Sequence, residues 1–136
     1  MNNPDHKITQ IIVLGATLLV MAVVIGAFGA HGLKNHLSEY QLSIFETGNR
    51  YHFYHAFGVL VLASLESSIS PKKLWTTTIM IFIGTILFSG SLYLLATREL
   101  LGISSWKFLG PITPIGGVFF IVGWSYLGWA AYKSNS

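Results

Sequence analysis

One segment near the middle of the chain, residues 46–55, concentrates the side chains that could do chemistry. It joins a carboxylate (Glu46), an arginine (Arg50) and two histidines (His52 and His55) to the apolar run 59–63. Such groups could transfer protons or bind a metal ion. Ionisable groups at the edge of a hydrophobic span are energetically unfavourable, so their presence raises the question of function.

Helical geometry limits which of these side chains can act together. At about 100° per residue, His52 and His55 lie about 60° apart on one helix face, at a spacing that metal-binding histidines use. His31 could supply a third ligand. Glu46 points nearly the opposite way and joins His55 at one ion only if the helix breaks at Gly48. A structural histidine bonded across helices is the more frequent alternative, and we predict neither a metal site nor a cofactor.

The composition is that of a membrane protein. Of 136 residues, 52% are hydrophobic and only 10% are charged, whereas soluble domains have about 25% charged residues. The eight Lys and Arg residues are dispersed, so no basic stripe suggests a nucleic-acid partner. The absence of cysteine excludes disulfides and thiolate metal sites. The first apolar segment lacks an Ala-x-Ala cleavage pattern and is expected to be a retained span.

Four apolar segments must position the polar groups. We place the spans at about 9–30, 51–67, 74–96 and 113–132, since about 20 apolar residues cross the hydrocarbon. Ser70-Pro71 and Thr113-Pro114 are helix-start signals, and the glycines of 29–32 suit a helix C-cap. The prediction is an all-α integral membrane protein with one domain of four transmembrane helices.

The polar stretch between the first two spans predicts a short amphipathic helix at the interface. Ser38 and Gln41 match a capping box. The apolar side chains that recur there at helical spacing are Leu37, Tyr40, Ile44 and Phe45. Gly48 is expected to break or bend this helix before the second span begins.

Small residues recur on two of the spans. Ala22, Gly26 and Ala30 are four residues apart, and Gly116, Gly117 and Gly123 lie on the last span. Such faces allow neighbouring helices to approach closely. We therefore predict that Gly26 and Gly117 lie at helix–helix contacts.

Consecutive spans cross the membrane in opposite directions, and this alternation brings the polar residues to one membrane face. The ends of spans one and three and the starts of spans two and four all lie there. We expect His31 and His55 to belong to one connected polar layer, with Ser89, Tyr93 and Thr113 as partners. Four Lys or Arg residues flank the spans on each side, so the positive-inside rule does not orient the protein.

Four ordered motifs run through nearly the whole chain. They are Gly26-Ala-Phe-Gly-Ala-His-Gly-Leu33, Glu46-Thr-Gly with Tyr51 and His55-Ala, Ser89-Gly-Ser-Leu-Tyr93, and Gly110-Pro-Ile-Thr-Pro-Ile-Gly-Gly117 with Gly123-Trp124. Together they resemble the YgdD/YwdK-like family of small membrane proteins, found in bacteria with a relative in animal mitochondria. The resemblance implies a four-span inner-membrane protein and implies no activity. Its signature positions supply our candidate ligand-binding residues, which are His31, Glu46, Tyr51, His55, Ser89, Tyr93 and Thr113.

Three functions are compatible with these patterns. We prefer a non-enzymatic bundle in the bacterial plasma membrane that binds membrane lipid, a small hydrophobic ligand or a membrane-protein partner. A transporter or channel subunit is the first alternative, and it would require a homo-oligomer because four short spans are few for a pore. A membrane enzyme using His31, Glu46 and His55 is the second.

Overall fold

The computed structural model describes residues 4–134, which form four long helices joined by short connections. The helices are α1 (Pro4–Phe28), α2 (Glu39–Ala63), α3 (Pro71–Thr97) and α4 (Leu109–Ser134), and α1 continues into a π-helical turn at Gly29–Leu33. Three helical segments are long and apolar enough to cross a membrane: His6–Leu33, Pro71–Thr97 and Leu109–Ser134. The predicted all-α architecture is confirmed.

Helices α2 and α3 lie at the centre of the bundle, between α1 and α4. Helix α3 packs against the other three helices, and α1 packs against α2 and α3. Between residues 4 and 134, α1 and α4 make no backbone approach to one another. They therefore occupy opposite sides of the bundle, and α2 reaches α4 through side chains, as when the His55 ring stacks on Phe120.

Two buried apolar clusters hold the helices together. The larger cluster lies toward the end of the bundle where α1 starts and α4 finishes. It contains Ile8, Ile11, Val59, Leu62, Ile69, Leu74, Ile81, Phe120 and Ala130. The smaller lies at the opposite end of the bundle and contains Leu33, Leu37, Phe45 and Ala96. Large apolar side chains also cover the outside of the bundle, including Val20, Val24 and Ile121. A surface of this kind suits contact with lipid tails rather than water.

Glycines mark the closest helix contacts, and one of the two predicted positions is confirmed. A Cβ on Gly26 would lie 2.6 Å from Oδ1 of Asn49. At Gly117, a Cβ would make only ordinary contact, 3.9 Å from the Phe88 ring. The tight contact belongs to its neighbour Gly116, where a Cβ would lie 2.8 Å from the Cα of Phe88. The sequence pattern located the right helix turn and the wrong glycine.

The expected interfacial helix is not a separate element, because Glu39–Ala63 is one helix. Gly48 lies inside it and is buried against α3, where a Cβ would come within 3.0 Å of Leu92 Cβ. Glycine thus serves close packing here rather than a break. The predicted start of this helix is confirmed: the Gln41 amide donates to Ser38 Oγ at 3.2 Å, and the Ser38 amide donates to Gln41 Oε1 at 2.9 Å.

The other helix ends agree only in part with the predictions. Helix α3 begins at Pro71, as predicted, with proline in its first turn. Helix α1 ends in the π-helical turn, and within the described residues positive φ occurs at Gly102 rather than at the glycines of 29–32. Helix α4 begins at Leu109, before Thr113. Thr113 therefore lies inside the helix rather than at its cap, and its hydroxyl bonds Ser91 of α3 at 2.6 Å.

Candidate functional site

A polar hub made of Asn49, His52 and Tyr93 joins three helices inside the bundle. The Asn49 side-chain amide donates to the Ala22 carbonyl of α1 at 2.9 Å and to the Tyr93 hydroxyl of α3 at 3.2 Å. His52 Nδ1 lies 3.1 Å from the same hydroxyl. Because that oxygen already accepts from Asn49, its own proton is available to Nδ1. The hub therefore connects α1, α2 and α3 through one hydroxyl.

Two further polar side-chain atoms are buried in the bundle, His52 Nε2 and Ser89 Oγ. His52 is only 4% exposed, and the Leu18 backbone of α1 faces its ring. Neither His52 Nε2 nor Ser89 Oγ has a hydrogen bond of good geometry. A buried polar atom without a hydrogen bond lowers the stability of the fold, because its lost hydration is not replaced. Of the predicted site residues, Ser89 is buried and Tyr93 bonds His52, a histidine that is not among the candidate ligand-binding residues.

His55 is held by a different set of contacts from His52. Its Nδ1–H donates to the Tyr51 carbonyl at 2.7 Å, which is an intrahelical bond. Its ring stacks on Phe120 of α4, with centroids 3.4 Å apart and planes 8° apart. Tyr51 packs in turn on Phe88 of α3, with centroids 4.7 Å apart. His55 and Tyr51 therefore build an aromatic contact between α2, α3 and α4.

The two histidines of α2 therefore serve different helix contacts, and His31 and His55 lie too far apart along the bundle to share the one connected polar layer that we expected. The contacts of Gly29 with Phe45 and of Gly26 with Asn49 show that α1 and α2 run antiparallel. His31, which is exposed, thus lies near the level of Phe45. His55 is ten residues further along α2, about 15 Å at 1.5 Å per residue. The alternating direction of the spans predicts that both histidines lie toward one end of the bundle. It does not predict how far apart they lie along the bundle axis. Within the described residues, no group of three or more His, Cys, Asp or Glu side chains could hold a metal ion.

Glu46 and Arg50 line an open cleft of about 460 Å³ between the end of α1 and the outer side of α2. We call it the charged cleft. Its α1 wall is built from small residues and its charges come from three side chains. These six residues are Gly26, Gly29, Ala30, Lys34, Glu46 and Arg50. Gly26 and Gly29 let α2 approach α1, with Asn49 and Phe45 against them, and the cleft lies beside this contact.

The three charges lie at successive depths in this cleft. Phe45 and Asn49 touch Gly29 and Gly26, so the next residues along α2, Glu46 and Arg50, lie near those same two levels. Both levels fall within the stretch 11–30 of α1, which carries no charge. Lys34 lies beyond its end. From the mouth inward the order is thus Lys34, Glu46 and Arg50, and Arg50 is about 6 Å deeper than Glu46 at 1.5 Å per residue.

Asn49 lines the charged cleft and also belongs to the polar hub. The sequence analysis did not single out this residue. The signal that could have found it is helical spacing, because Asn49, His52, Ala56 and Val59 recur at intervals of three and four residues on the face of α2 turned inward. An amide on such a face needs hydrogen-bond partners from neighbouring helices.

Comparison with known proteins assigns the chain to a family. The model of the family described as "Protein of unknown function (DUF423)" matches residues 25–117. The chain belongs to this family. The matched segment contains the polar hub, the charged cleft and all seven predicted ligand-binding residues.

Relatives agree in length as well as in sequence. The UPF0382 membrane protein YwdK of Bacillus subtilis is 43% identical over 123 residues, covering 90% of this chain and 95% of its own. A UPF0382 membrane protein of Staphylococcus epidermidis is 44% identical over 122 residues, covering 90% and 94%. Another, from Staphylococcus saprophyticus, is 43% identical over 122 residues, covering 90% and 96%. No solved structure matches the chain. The resemblance read from the four motifs is confirmed.

Proposed function

We propose that this protein spans the bacterial plasma membrane four times and binds the phosphate of a phospholipid headgroup in its charged cleft. Three of its helices are long and apolar enough to cross a membrane, and its relatives are named membrane proteins. Helix α2 has 25 residues, about 37 Å, and packs between α1 and α3. A helix of that length in that position is expected to be the fourth span.

The depth of Arg50 is the observation that carries the lipid proposal. Arg50 is exposed to the cleft, yet it lies beside the uncharged part of α1, at the level of Gly26. A guanidinium at hydrocarbon depth requires an anionic partner or access to water. Lipid phosphate lies at the boundary of the hydrocarbon, and arginine binds phosphate with two parallel hydrogen bonds. The cleft therefore offers a lipid phosphate a strong, well-placed donor.

The other features of the cleft fit the same ligand. Lys34 lies at the mouth, where its charge attracts anionic groups toward the opening. Gly26, Gly29 and Ala30 line the cleft on its α1 side. The volume of about 460 Å³ falls within the range of about 300–1,000 Å³ that small-molecule sites occupy. A headgroup can enter from the side while its acyl chains stay in the bilayer.

Lipid binding to the purified full chain tests this function. Native mass spectrometry in detergent would compare phosphatidylglycerol with diacylglycerol of the same acyl chains, which lacks the phosphate. We expect binding of the phospholipid only, and about tenfold weaker binding after Arg50→Gln, because a hydrogen bond to a charged group contributes about 1.5–3 kcal/mol.

Arg98→Gln is the matched control. Arg98 lies at the same end of the bundle, in a different cavity with Ser38 and Glu99. Its removal should leave lipid binding unchanged. If the folded Arg50→Gln protein binds phospholipid as the wild type does, or if diacylglycerol binds equally well, the cleft is not a phosphate site.

A further inference from the structure

We infer that the charged cleft selects phospholipids whose headgroup carries a primary amine, and that Glu46 makes the selection. This inference rests on the proposed binding of a phospholipid. It names the lipid class and assigns a role to a carboxylate that phosphate binding alone leaves unexplained.

The order of charges in the cleft matches the order of charges in such a lipid. Arg50 lies deepest and Glu46 lies one helical turn nearer the mouth, about 6 Å away. In an aminophospholipid the phosphate is next to the acyl-chain end, and the ammonium lies two carbons further out. A lipid with its phosphate on Arg50 therefore carries its ammonium toward Glu46. The reverse order of charges in the cleft would place like charges together.

Glu46 also discriminates by charge and by hydrogen bonding. With phosphatidylethanolamine, Arg50 pairs with the phosphate and Glu46 with the ammonium, so each protein charge has a partner. Phosphatidylglycerol brings no cation, and its phosphate must then share Arg50 with the nearby carboxylate. Phosphatidylcholine brings a cation without N–H groups, which cannot donate a hydrogen bond to Glu46. The primary amine alone satisfies both requirements.

The ion pair within α2 is the competing explanation for Glu46. Glu46 and Arg50 are four residues apart, a spacing at which opposite charges attract on a helix. If Glu46 only neutralises Arg50, then removing its charge should strengthen the binding of every phospholipid. If Glu46 binds the ammonium, the same change should weaken the binding of the amine lipid specifically. The two roles therefore predict opposite results for phosphatidylethanolamine.

The experiment measures three lipids with identical acyl chains on the full chain in detergent: phosphatidylethanolamine, phosphatidylglycerol and phosphatidylcholine. We expect phosphatidylethanolamine to bind about tenfold more tightly than the other two, as one charge-assisted hydrogen bond would give. Glu46→Gln should remove this preference and leave phosphatidylglycerol bound as well as before or better. Glu99→Gln, which changes an exposed carboxylate at the same end of the bundle, should keep the preference.

Each other outcome has a definite meaning. Equal binding of the three lipids by the wild type overturns the selection by Glu46 and leaves phosphate binding intact. Stronger phosphatidylethanolamine binding after Glu46→Gln also overturns it, in favour of the internal ion pair. If soluble phosphoethanolamine binds as tightly as phosphatidylethanolamine, the cleft recognises the free headgroup compound rather than a lipid. Failure of all three lipids to bind contradicts the proposed function itself.

Discussion

Single side chains decide how the helices of this bundle meet, and the polar residues do so as much as the apolar ones. Asn49 holds α2 to α1 and α3, while the Tyr93 hydroxyl bonds two side chains of α2, accepting from Asn49 and donating to His52. His55 reaches α4 by stacking on Phe120 rather than by a hydrogen bond. The interior is therefore held by a few specific contacts, and the loss of one should be measurable.

Removal of the Tyr93 hydroxyl should destabilise the protein. Tyr93→Phe leaves His52 Nδ1 without its partner in a place where Nε2 already lacks one. We expect a loss of about 1–2 kcal/mol in the free energy of unfolding, measured by denaturation in detergent. Tyr40→Phe is the control, because Tyr40 is 75% exposed. Equal stability of the two variants would show that the hub bonds contribute little.

Adjacent glycines of α4 should respond differently to the same substitution. Gly116→Ala places a methyl group against the main chain of Phe88, which cannot move without shifting α3. We expect it to lose about 1–3 kcal/mol through overpacking. Gly117→Ala meets only the edge of the Phe88 ring at 3.9 Å, so it should be neutral or gain up to about 1 kcal/mol from better helix propensity. Thermal unfolding of the two variants tests the register of α3 and α4, and the reverse order would exclude it.

At the scale of elements, α2 is the unusual helix. It carries Glu46, Arg50 and two histidines, and it is not among the helices apolar enough to be a span by composition. Its central position compensates, because α1 and α3 cover its polar inner face. Its first residues form a helix for a local reason, the capping box of Ser38 and Gln41.

The helix cap supplies a test at this scale. Ser38→Ala removes the acceptor of the Gln41 amide and should cost about 1 kcal/mol of stability. Ser70→Ala is matched to it, because Ser70 precedes α3 without a side-chain capping bond, and should change stability by less than about 0.5 kcal/mol. Unfolding in detergent measures both. Similar losses of stability in both variants would mean that the Ser38 hydroxyl does not stabilise the protein through its capping bond.

At the scale of the whole molecule, the number of spans decides which residues share a side of the membrane. Four spans place the start of α1 and the end of α4 together and the connection before α4 opposite to them. If α2 instead lay along the interface, three spans would separate the two ends. The lipid proposal depends on this arrangement, since it needs Arg50 at membrane depth.

Cysteine labelling distinguishes the two arrangements. The chain has no native cysteine, so each introduced cysteine is the single thiol that the reagent can label. His6→Cys and Ser134→Cys should react with a membrane-impermeant maleimide from the same side, and Ser105→Cys from the other. All three positions are exposed. Labelling of residues 6 and 134 from opposite sides would rule out the four-span topology.

The sequence by itself determined the all-helical architecture of this protein and the starts of two of its helices. The uncharged stretch 11–30, the cap at Ser38 and the proline at position 71 each specify structure through near neighbours, since hydropathy and capping act over one or two helical turns. The alternating direction of consecutive helices then predicts that their polar ends lie at one end of the bundle. The four motifs were specific enough to predict the family.

Only the tertiary structure decided which polar residues meet. Gly48 could break a helix or allow close packing, and the presence of Leu92 against it selects packing. His52 and His55 lie on one face of α2, yet one turns toward Tyr93 and the other toward Phe120. Such outcomes depend on the rotation and relative height of neighbouring helices. Those are set by contacts between residues distant in the chain, such as Gly26 with Asn49, which local sequence patterns do not encode.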